Sequence, residues 1–480
     1  MRKGILVYLA TLILFGAGIA WVLAQGRRLE AARPITAAAS SAPEGASAPG
    51  RGPEGAPLSR PLPVLLLQII VIVATARALG AVFALLGQPP VIGEIVAGIV
   101  LGPSLFGALF PKAFGFLFAP ASISLLKLFA EIGVLLFLFG VGVELDLARI
   151  RRRARTAVFV SHASIVVPYF LGAAVSLLLY REFAPAGVAF TPFALFMGIA
   201  TSITAFPVLV RILRERGLSG TLLGDTAVTC AAVDDVTAWS LLAVVVAIAG
   251  AHGLRAAVGT IILAAAFIAA MLFLIGPLIR RGLASAARRE RPGKTAVAFV
   301  LGILLASALA TELIGIHALF GAFLAGVVMP RDPRFRAYLT ERLEEFSSVF
   351  LLPLFFAFTG LRTRIGLLDD SRSWLLCGLV ILVATAGKLG GSMFAARLTG
   401  TPWGEAFALG ALMNSRGLME LIALNIGYEL GILSPAVFAI MVLMAIVTTF
   451  ATSPLLSLSE RWRTEPSADR DRQRVVVQGD

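Results

Sequence analysis

Two adjacent aspartates, Asp234 and Asp235, lie near the middle of an apolar stretch, in the segment AAVDDVTAW (231–239). This stretch, residues 221–249, is long enough to cross a bilayer as a helix. One charged side chain at the centre of such a helix costs roughly 2.5–3.5 kcal/mol on insertion scales, so a pair is expensive. Carboxylates kept at that cost are typical of a site for an ion or a proton.

The two carboxylates are expected to have different partners, because adjacent residues on an α-helix project about 100° apart. One is expected to face an ion cavity and the other a cation. The strongest partner candidate is Lys388, which lies well inside an apolar span and is flanked by glycines in GKLGG (387–391), so helices can approach it closely. The alternative is a lysine snorkelling from a helix end, and both ends are too far for easy reach. Burial raises the pKa of a carboxylate and a nearby cation lowers it again, so such a carboxylate can hold either a proton or a metal cation, and this competition is a physical basis for exchange.

Two other apolar runs are interrupted by polar and helix-weakening residues. These residues are Thr201, Ser202, Thr204 and Pro207 in the first run, and Asn414, Ser415, Arg416 and Gly417 in the second. Both runs are predicted to be broken helices, whose half-helix ends offer carbonyls and dipoles to an ion. The alternative for either run alone is an ordinary proline kink with hydroxyls bonded back to the helix.

The two interrupted runs also resemble each other. FALFMGIATSI, from Phe193, and FALGALMNSRG, from Phe407, share their opening tripeptide. They fall on the fifth and twelfth predicted spans, and an odd offset between spans inverts one copy against the other. Inverted repeats are a signature of secondary transporters.

Further charges inside the apolar runs occur at helical spacing. Arg416 and Glu420 are four residues apart, which suits a pair on one helix face, and structural and gating roles are both open. Lys127 and Glu131 repeat this spacing and are interpreted as structural. The two cysteines, Cys230 and Cys377, match no metal-ligand spacing, and no cofactor is expected. No motif combines a nucleophile, a base and an orienting group, so an enzyme is not expected.

Composition places these residues in an all-α polytopic membrane protein. Of 480 residues, 58% are hydrophobic and 14% charged, and apolar runs of helical length recur along the chain. The net charge of +13 would suggest nucleic acid in a soluble protein. Here the basic residues cluster between apolar runs, so the partner is the lipid bilayer and no nucleic acid is expected.

Four segments are predicted along the chain. Residues 1–25 are a signal peptide or a signal anchor, with a peptidase-like Val22-Leu23-Ala24 before Gln25, and residues 26–62 are a flexible extracytoplasmic linker. Residues 63–458 hold about thirteen spans with inverted repeats and two crossed broken helices. Residues 459–480 are expected to be a disordered cytoplasmic tail.

Orientation follows from the basic loops, which fall on every second connection. Loops 149–155, 211–216, 280–294 and 331–342 lie on one side, taken as cytoplasmic, together with the C-terminus. The exception is the loop from Arg362 to Arg372, which is outside by this count although it carries three arginines and two aspartates.

Several motifs resemble one family in order along residues 63–458. They are QPPVIGEIVAGIVLGPS, SITAFPVLVRIL, VDDVTAW, GIHALFGAFLAGVVMP, the Gly387-Lys388 pair, MNSRGLMELIALNIG and FAIMVLMAIVTTF. Together they resemble the monovalent cation:proton antiporter family, particularly its Kef-type and plant-type cation/H+ exchanger branches. The resemblance implies a dimerisation domain and a core domain that moves like an elevator, and a homodimer in the bacterial inner (plasma) membrane.

The resemblance also implies roles for the acidic pair. Asp235 would bind the cation, Na+ or K+, and the proton, and Asp234 would pair with Lys388. Members with two aspartates resemble the electrogenic type, whereas plant exchangers usually have asparagine at the first position, so cation choice and stoichiometry stay open. Many relatives carry a cytoplasmic regulatory domain after the membrane part; none is expected here, nor is nucleotide gating. A symporter of organic anions is the alternative transporter, and a channel or non-transporting sensor is the alternative class.

Overall fold

The computed structural model describes residues 2–31, 61–144, 154–250, 254–284 and 293–464, and within them the chain forms helices and no strand. The predicted all-α class is therefore confirmed. The first helices are α1 (Arg2–Ala31), α2 (Pro61–Leu85), α3 (Pro90–Leu101), α4 (Phe106–Leu109), α5 (Pro111–Leu117), α6 (Pro120–Glu144), α7 (Ala154–Phe183), α8 (Phe190–Ala200), α9 (Phe206–Glu215) and α10 (Leu222–Gly250).

The second half of the described chain continues the series. Its helices are α11 (Leu254–Ala269), a π-helical segment (Ala270–Ile275), α12 (Gly276–Gly282), α13 (Lys294–Ile314), α14 (Ala318–Val327), α15 (Pro333–Phe346), a second π-helical segment (Ser347–Leu351), α16 (Leu352–Arg362), a 3₁₀ turn (Ile365–Leu367), α17 (Ser371–Leu398), α18 (Trp403–Met413), α19 (Leu418–Glu429) and α20 (Pro435–Thr464).

The number of membrane spans differs from the expected thirteen. Eleven stretches of the described residues, α1 among them, are long and apolar enough to cross a bilayer, and twelve if the bent pair α18–α19 is one span. Two expected spans are represented by short apolar helices, α8 and α14. The count of thirteen is therefore not confirmed, because a broken or short helix does not have the length of a full span.

Both predicted flexible segments are partly helical. α1 continues to Ala31 and α2 begins at Pro61, so the expected linker 26–62 is helical at both ends; its residues 32–60 lie outside the described residues. α20 continues to Thr464, past the expected end of the membrane region at 458, and residues 465–480 also lie outside the described part of the chain.

The long helices pack as two groups. The core bundle consists of α1, α7–α10 and α17–α20, in which α7 packs on α1, α8, α10 and α17, and α18 on α17 and α20. The scaffold bundle consists of α2, α3, α6 and α13–α16, in which α6 packs on α14, α15 and α16. α3 and α16 approach closely at Gly98 and Gly360, where a Cβ on either glycine would overlap the other helix's backbone. The Asp234–Asp235 helix, α10, lies in the core bundle.

Candidate ion site

Asp234 is fully buried on α10 and all its acceptor positions are occupied. Its Oδ1 accepts hydrogen bonds from Ser161 Oγ at 2.5 Å and Ser164 Oγ at 3.0 Å, and its Oδ2 accepts one from Thr204 Oγ1 at 2.7 Å. Lys388 Nζ lies 2.9 Å from Oδ2, and both side chains are fully shielded from solvent. Because a buried ion pair is stable only when its remaining hydrogen-bonding groups are satisfied, this carboxylate has a complete set of partners.

Glycines on α17 bring Lys388 to that position. A Cβ on Gly387 would lie 3.0 Å from Pro168 Cα, and one on Gly391 would lie 2.9 Å from the backbone oxygen of Ala163. Both distances are too short for a side chain, so the glycine face lets α17 lie directly against α7. This close approach holds the lysine between α7 and the first helix break.

The Lys388 ammonium group is saturated. Besides Asp234, it donates to the backbone oxygens of Ser164 at 3.0 Å and Ser202 at 2.5 Å. An ammonium has three N–H donors, and these three acceptors, with the more distant Ser164 Oγ at 3.4 Å, are enough to satisfy all of them. The lysine therefore joins α7, α10 and the first break in one buried network.

The two broken spans cross beside this network. The first is interrupted at residues 201–205, between α8 and α9, and the second at residues 414–417, where α18 and α19 meet at 43°. The amide N–H of Ala205 donates to the backbone oxygen of Ser415 at 2.9 Å, so a bond between the breaks replaces a lost helical one. Such backbone is stable at membrane depth because protein groups satisfy it.

Arg416, in the second break, holds the end of the first half-helix. Its guanidinium donates to the backbone oxygens of Ala200 at 3.1 Å and Thr201 at 2.6 Å, and lies 3.5 Å from the Glu420 carboxylate. A cation at a helix C-terminus is favourable because the helix dipole is negative there. Arg416 therefore links α8 to α19 and carries its own counter-ion, which is also fully buried.

The other polar residues of the breaks serve the backbone. The hydroxyls of Thr201, Ser202 and Ser415 donate to carbonyls of the preceding helical turn. Asn414 Nδ2 donates to the backbone oxygen of Thr448 at 3.3 Å, and its Oδ1 has no partner among the described residues. These side chains therefore do not touch the aspartate pair.

Asp235 is buried like Asp234, but its carboxylate lacks the partners that Asp234 has. It is 2% exposed, its Oδ1 has no hydrogen-bond partner within the described chain, and no ion pair joins it to a described residue. It borders a cavity of about 10 Å³, the size of one water molecule. The other lining residues are Ile203, Ala238, Trp239, Leu242 and Met419.

Ser161 and Ser164 are the site residues that sequence reasoning missed. Both lie on α7 and are fully buried, and the hydroxyl of each lies within hydrogen-bonding distance of the Asp234 carboxylate. Their only signal is a three-residue spacing in an apolar run, which places two hydroxyls on one helix face. The same spacing also suits hydroxyls bonded back to the helix, so the sequence alone does not separate the two interpretations.

A large cavity enters the protein between the two bundles. It has a volume of about 780 Å³, lies between α9, α10 and α15, and extends to Ala232, one helical turn before Asp235. Its charged lining residues are Glu144, Arg214, Asp225, Arg336 and Glu341. Arg214 and Arg336 belong to the basic segments 211–216 and 331–342, which are mostly helical, in α9 and α15, rather than loops.

The opposite end of the seam between the bundles is closed by ion pairs. Glu429, at the end of α19, lies 3.0 Å from Lys127 of α6 and 3.0 Å from Arg362 of α16. Lys127 also lies 3.4 Å from Glu131, and Arg362 donates to Asn425 Oδ1 at 2.9 Å. A core-bundle carboxylate is therefore held by two cations of the scaffold bundle.

The basic loop that did not fit the orientation rule forms ion pairs with other helices. Arg362 pairs with Glu429, and Arg372 lies 3.1 Å from Glu182 of α7. Two of the three arginines in this loop therefore take part in ion pairs between helices.

A polytopic helical fold with two crossed helix breaks, a buried aspartate–lysine pair and a second buried aspartate defines a secondary transporter. The chain belongs to the sodium/hydrogen exchanger family: the family described as "Sodium/hydrogen exchanger, transmembrane" matches residues 70–458. The predicted antiporter family is thereby confirmed, as is the expectation of a transporter rather than an enzyme.

Individual relatives agree with this membership. The chain is 42% identical over 394 residues to Na(+)/H(+) antiporter NhaS4 of Synechocystis, covering 82% of this chain and 96% of that protein. It is 42% identical over 420 residues to Cation/H(+) antiporter 20 of Arabidopsis thaliana, covering 83% and 48%, and 34% identical over 408 residues to K(+)/H(+) antiporter 1 of Saccharomyces cerevisiae, covering 83% and 47%. The chain thus spans about half the length of these plant and yeast relatives.

The fold is similar to a solved antiporter. The sodium proton antiporter MjNhaP1 from Methanocaldococcus jannaschii superposes with a TM-score of 0.62 at 14% identity, covering 85% of this chain and all of that one. At this identity the likeness concerns the fold alone.

Proposed function

We propose that this protein is a secondary antiporter that exchanges a monovalent cation, Na+ or K+, for H+, with Asp235 as the shared binding site. One observation carries the proposal: a buried carboxylate with an unpartnered oxygen stands beside an aspartate whose partners are complete. This difference supports a structural role for Asp234 and an ion-binding role for Asp235.

The charges at the site leave one position variable. Asp234 is neutralised by Lys388, and Arg416 by Glu420, in pairs that are both fully buried. Asp235 has no such partner in the described chain and cannot remain charged at this depth without one, because an uncompensated buried charge costs several kcal/mol. A proton or a monovalent cation each supplies the missing positive charge.

Exchange follows from this requirement. One carboxylate binds a proton or a cation but not both, so loading one releases the other. The empty, charged form is the least favourable to move through an apolar environment, which suppresses uncoupled leakage. Antiport therefore needs no further chemical group.

Alternating access is supported by the asymmetry of the seam between the bundles. The 780 Å³ cavity reaches within one turn of Asp235 from one end, while the Glu429 ion pairs close the other. We propose that the core bundle moves against the scaffold bundle, opening the ion-paired end as the cavity closes. The cavity end would be cytoplasmic, as would the C-terminus, in a bacterial inner membrane.

The cation itself stays Na+ or K+. The names of the relatives include both ions. The cavity beside Asp235 is small and its other lining residues are apolar, so selectivity depends on how many hydration waters the bound ion keeps. A homodimer is proposed from the family resemblance, with the scaffold bundle as its interface.

The test is proton flux in proteoliposomes driven in turn by gradients of Na+, K+, Li+ and choline. We expect Asp235→Asn to fold normally and to lose cation-driven proton movement. A neutral amide side chain neither takes up a proton nor offers a negative charge to a cation. Asp369→Asn, which changes an exposed loop carboxylate, is the matched control and should transport like the wild type. Electrogenic cation flux retained by Asp235→Asn would indicate a channel instead, and no response of folded wild-type protein to any cation would overturn antiport.

A further inference from the structure

The N-terminal helix α1 presents one face to the core bundle. Gly18, Val22, Gly26 and Glu30 follow one another at four-residue intervals, which places them in one row along the helix. Val22 is fully buried and Gly26 is buried, whereas Gly16, off this row, is exposed. Among the described side chains of α1, the two buried ones, Val22 and Gly26, lie in this row, and α1 packs there on α7 and α8.

The glycines of the row are fitted to two aromatic rings. A Cβ on Gly18 would lie 2.6 Å from the ring of Phe170, and a Cβ on Gly26 would overlap the ring of Phe190. Phe190 cannot readily move aside, because it is fully buried and its ring stacks edge-on against Tyr180 at 5.1 Å. Helix α1 therefore meets the core bundle with the close approach typical of packed membrane helices.

Glu30 contacts the beginning of the first half-helix. Its Oε2 accepts a hydrogen bond from the backbone N–H of Phe190 at 2.9 Å, at the first residue of α8. No side chain of α8's own N-terminal turn caps this end. A carboxylate at a helix N-terminus and a cation at its C-terminus both complement the dipole, so Glu30 and Arg416 hold α8 from its two ends.

We infer that α1 is a permanent membrane helix of this exchanger that moves with the core bundle, with Glu30 as a positioning residue for the half-helix α8. Helix α1 lies outside residues 70–458, which the family match covers, so its contact with the core bundle is additional to the part of the chain that matches the family. Cleavage after Ala24 would remove Gly18 and Val22 from the contact. The retention and packing of α1 do not depend on the proposed antiport. Only the transport measurement rests on the proposed function.

The first measurement is the intact mass of the purified full chain carrying a C-terminal tag. We expect residues 1–24 to be present. A mature chain that begins at Gln25 would overturn the inference.

The second measurement compares the thermal stability in detergent of Gly26→Leu and Gly16→Leu. The two changes add the same side chain to the same helix, but only Gly26 faces Phe190. We expect Gly26→Leu to lower the melting temperature or prevent folding, and Gly16→Leu to match the wild type. Equal behaviour of the two variants would show that α1 does not pack on the core bundle.

The positioning role is tested by Glu30, which is exposed on its outer side and whose variants should fold. We expect Glu30→Ala to lower the maximum exchange rate with little change in apparent cation affinity, because Asp235 is untouched. Glu30→Gln should recover most of the rate, since an amide oxygen still accepts from Phe190. Equal rates for Glu30→Ala and wild type would refute this role, whereas absent transport in wild-type protein would count against the antiport proposal alone.

Discussion

At the scale of single residues, the site depends on the different surroundings of two neighbouring aspartates. Asp234 faces α7 and α17, where serine hydroxyls and Lys388 complete its coordination, and Asp235 faces a small apolar cavity. The helical rotation between consecutive residues produces this division, since it directs the two carboxylates to different neighbours. In the proposed exchange, the Asp234 carboxylate would be a fixed structural anion and the Asp235 carboxylate the exchangeable one.

Lys388→Ala should destabilise the protein strongly. It leaves Asp234 buried without a counter-charge, which costs about 3–5 kcal/mol for a broken buried pair. The melting temperature in detergent measures the effect. Replacing both partners, in Asp234→Asn with Lys388→Met, should restore much of the loss, because no uncompensated charge remains; an unchanged melting temperature for Lys388→Ala would argue against the pairing.

Ser164→Ala should be the more harmful of two alanine substitutions on α7. The Ser164 hydroxyl donates its one proton to the Asp234 carboxylate, lying 3.0 Å from Oδ1 and 2.8 Å from Oδ2, and a hydrogen bond to a charged group contributes about 1.5–3 kcal/mol. Ser176 is equally buried on the same helix, and its hydroxyl bonds only the backbone oxygen of Ala173. Thermal melts of Ser164→Ala and Ser176→Ala should therefore differ, and equal losses would mean that the serine contact with Asp234 adds nothing.

The sequence predicted these residues unequally. Asp234, Asp235 and Lys388 were identifiable because a charge in an apolar span is costly and rare. Ser161 and Ser164 were not, because serine in such a span costs little and often bonds its own helix. The surroundings of Asp235 also include Ile203 of the first break and Met419 of α19, and no local sequence pattern predicts this packing.

At the scale of helices, the two breaks stabilise each other. Each break leaves backbone groups without helical partners, and groups of the other break bond them. The amide of Ala205 donates to the backbone oxygen of Ser415, and the Arg416 side chain donates to the carbonyls at the end of α8. The polar interruptions predicted the breaks themselves. They did not predict this exchange of partners, because Arg416 and Thr201 are 215 residues apart in the chain.

Arg416→Lys should weaken the site although it preserves the charge. A guanidinium reaches two carbonyls at once through its planar fork, whereas an ammonium acts as a single point charge. We expect a loss of about 1–3 kcal/mol, as for an unsatisfied buried polar group, together with slower exchange. Chemical denaturation and proteoliposome flux measure the two effects; full activity and stability of the lysine variant would show that the paired contact with α8 is dispensable.

At the scale of the whole molecule, the two ends of the seam between the bundles are unequal. One end holds a cavity with charged walls, and the other joins Glu429 to Lys127 and Arg362. The positive-inside count places the loop from Arg362 to Arg372 outside although it carries three arginines, and the structure pairs two of these arginines with carboxylates. Which charged residues pair across the seam is decided by the folded structure and not by the local sequence.

Glu429→Gln should favour the conformation in which this end opens. The Glu429 and Lys127 side chains are 28% and 34% exposed, so each pair contributes about 1 kcal/mol at most, equivalent to about a fivefold shift in population. Hydrogen–deuterium exchange should rise at the start of α6 and at the end of α19, where these ion pairs lie. It should fall around the cavity at α9 and α15. High ionic strength should act in the same direction on the wild type, because it screens partly exposed charges.

The control for this change is Glu182→Gln, which removes an ion pair between α7 and α17 within the core bundle. It alters a carboxylate at the same end of the molecule without crossing the seam, so the exchange pattern at α9 and α15 should stay as in the wild type. If both variants changed deuterium uptake alike, the Glu429 pairs would be ordinary surface contacts. If only Glu429→Gln opened one end while protecting the other, the two ends would be coupled, which is what alternating access around Asp235 requires.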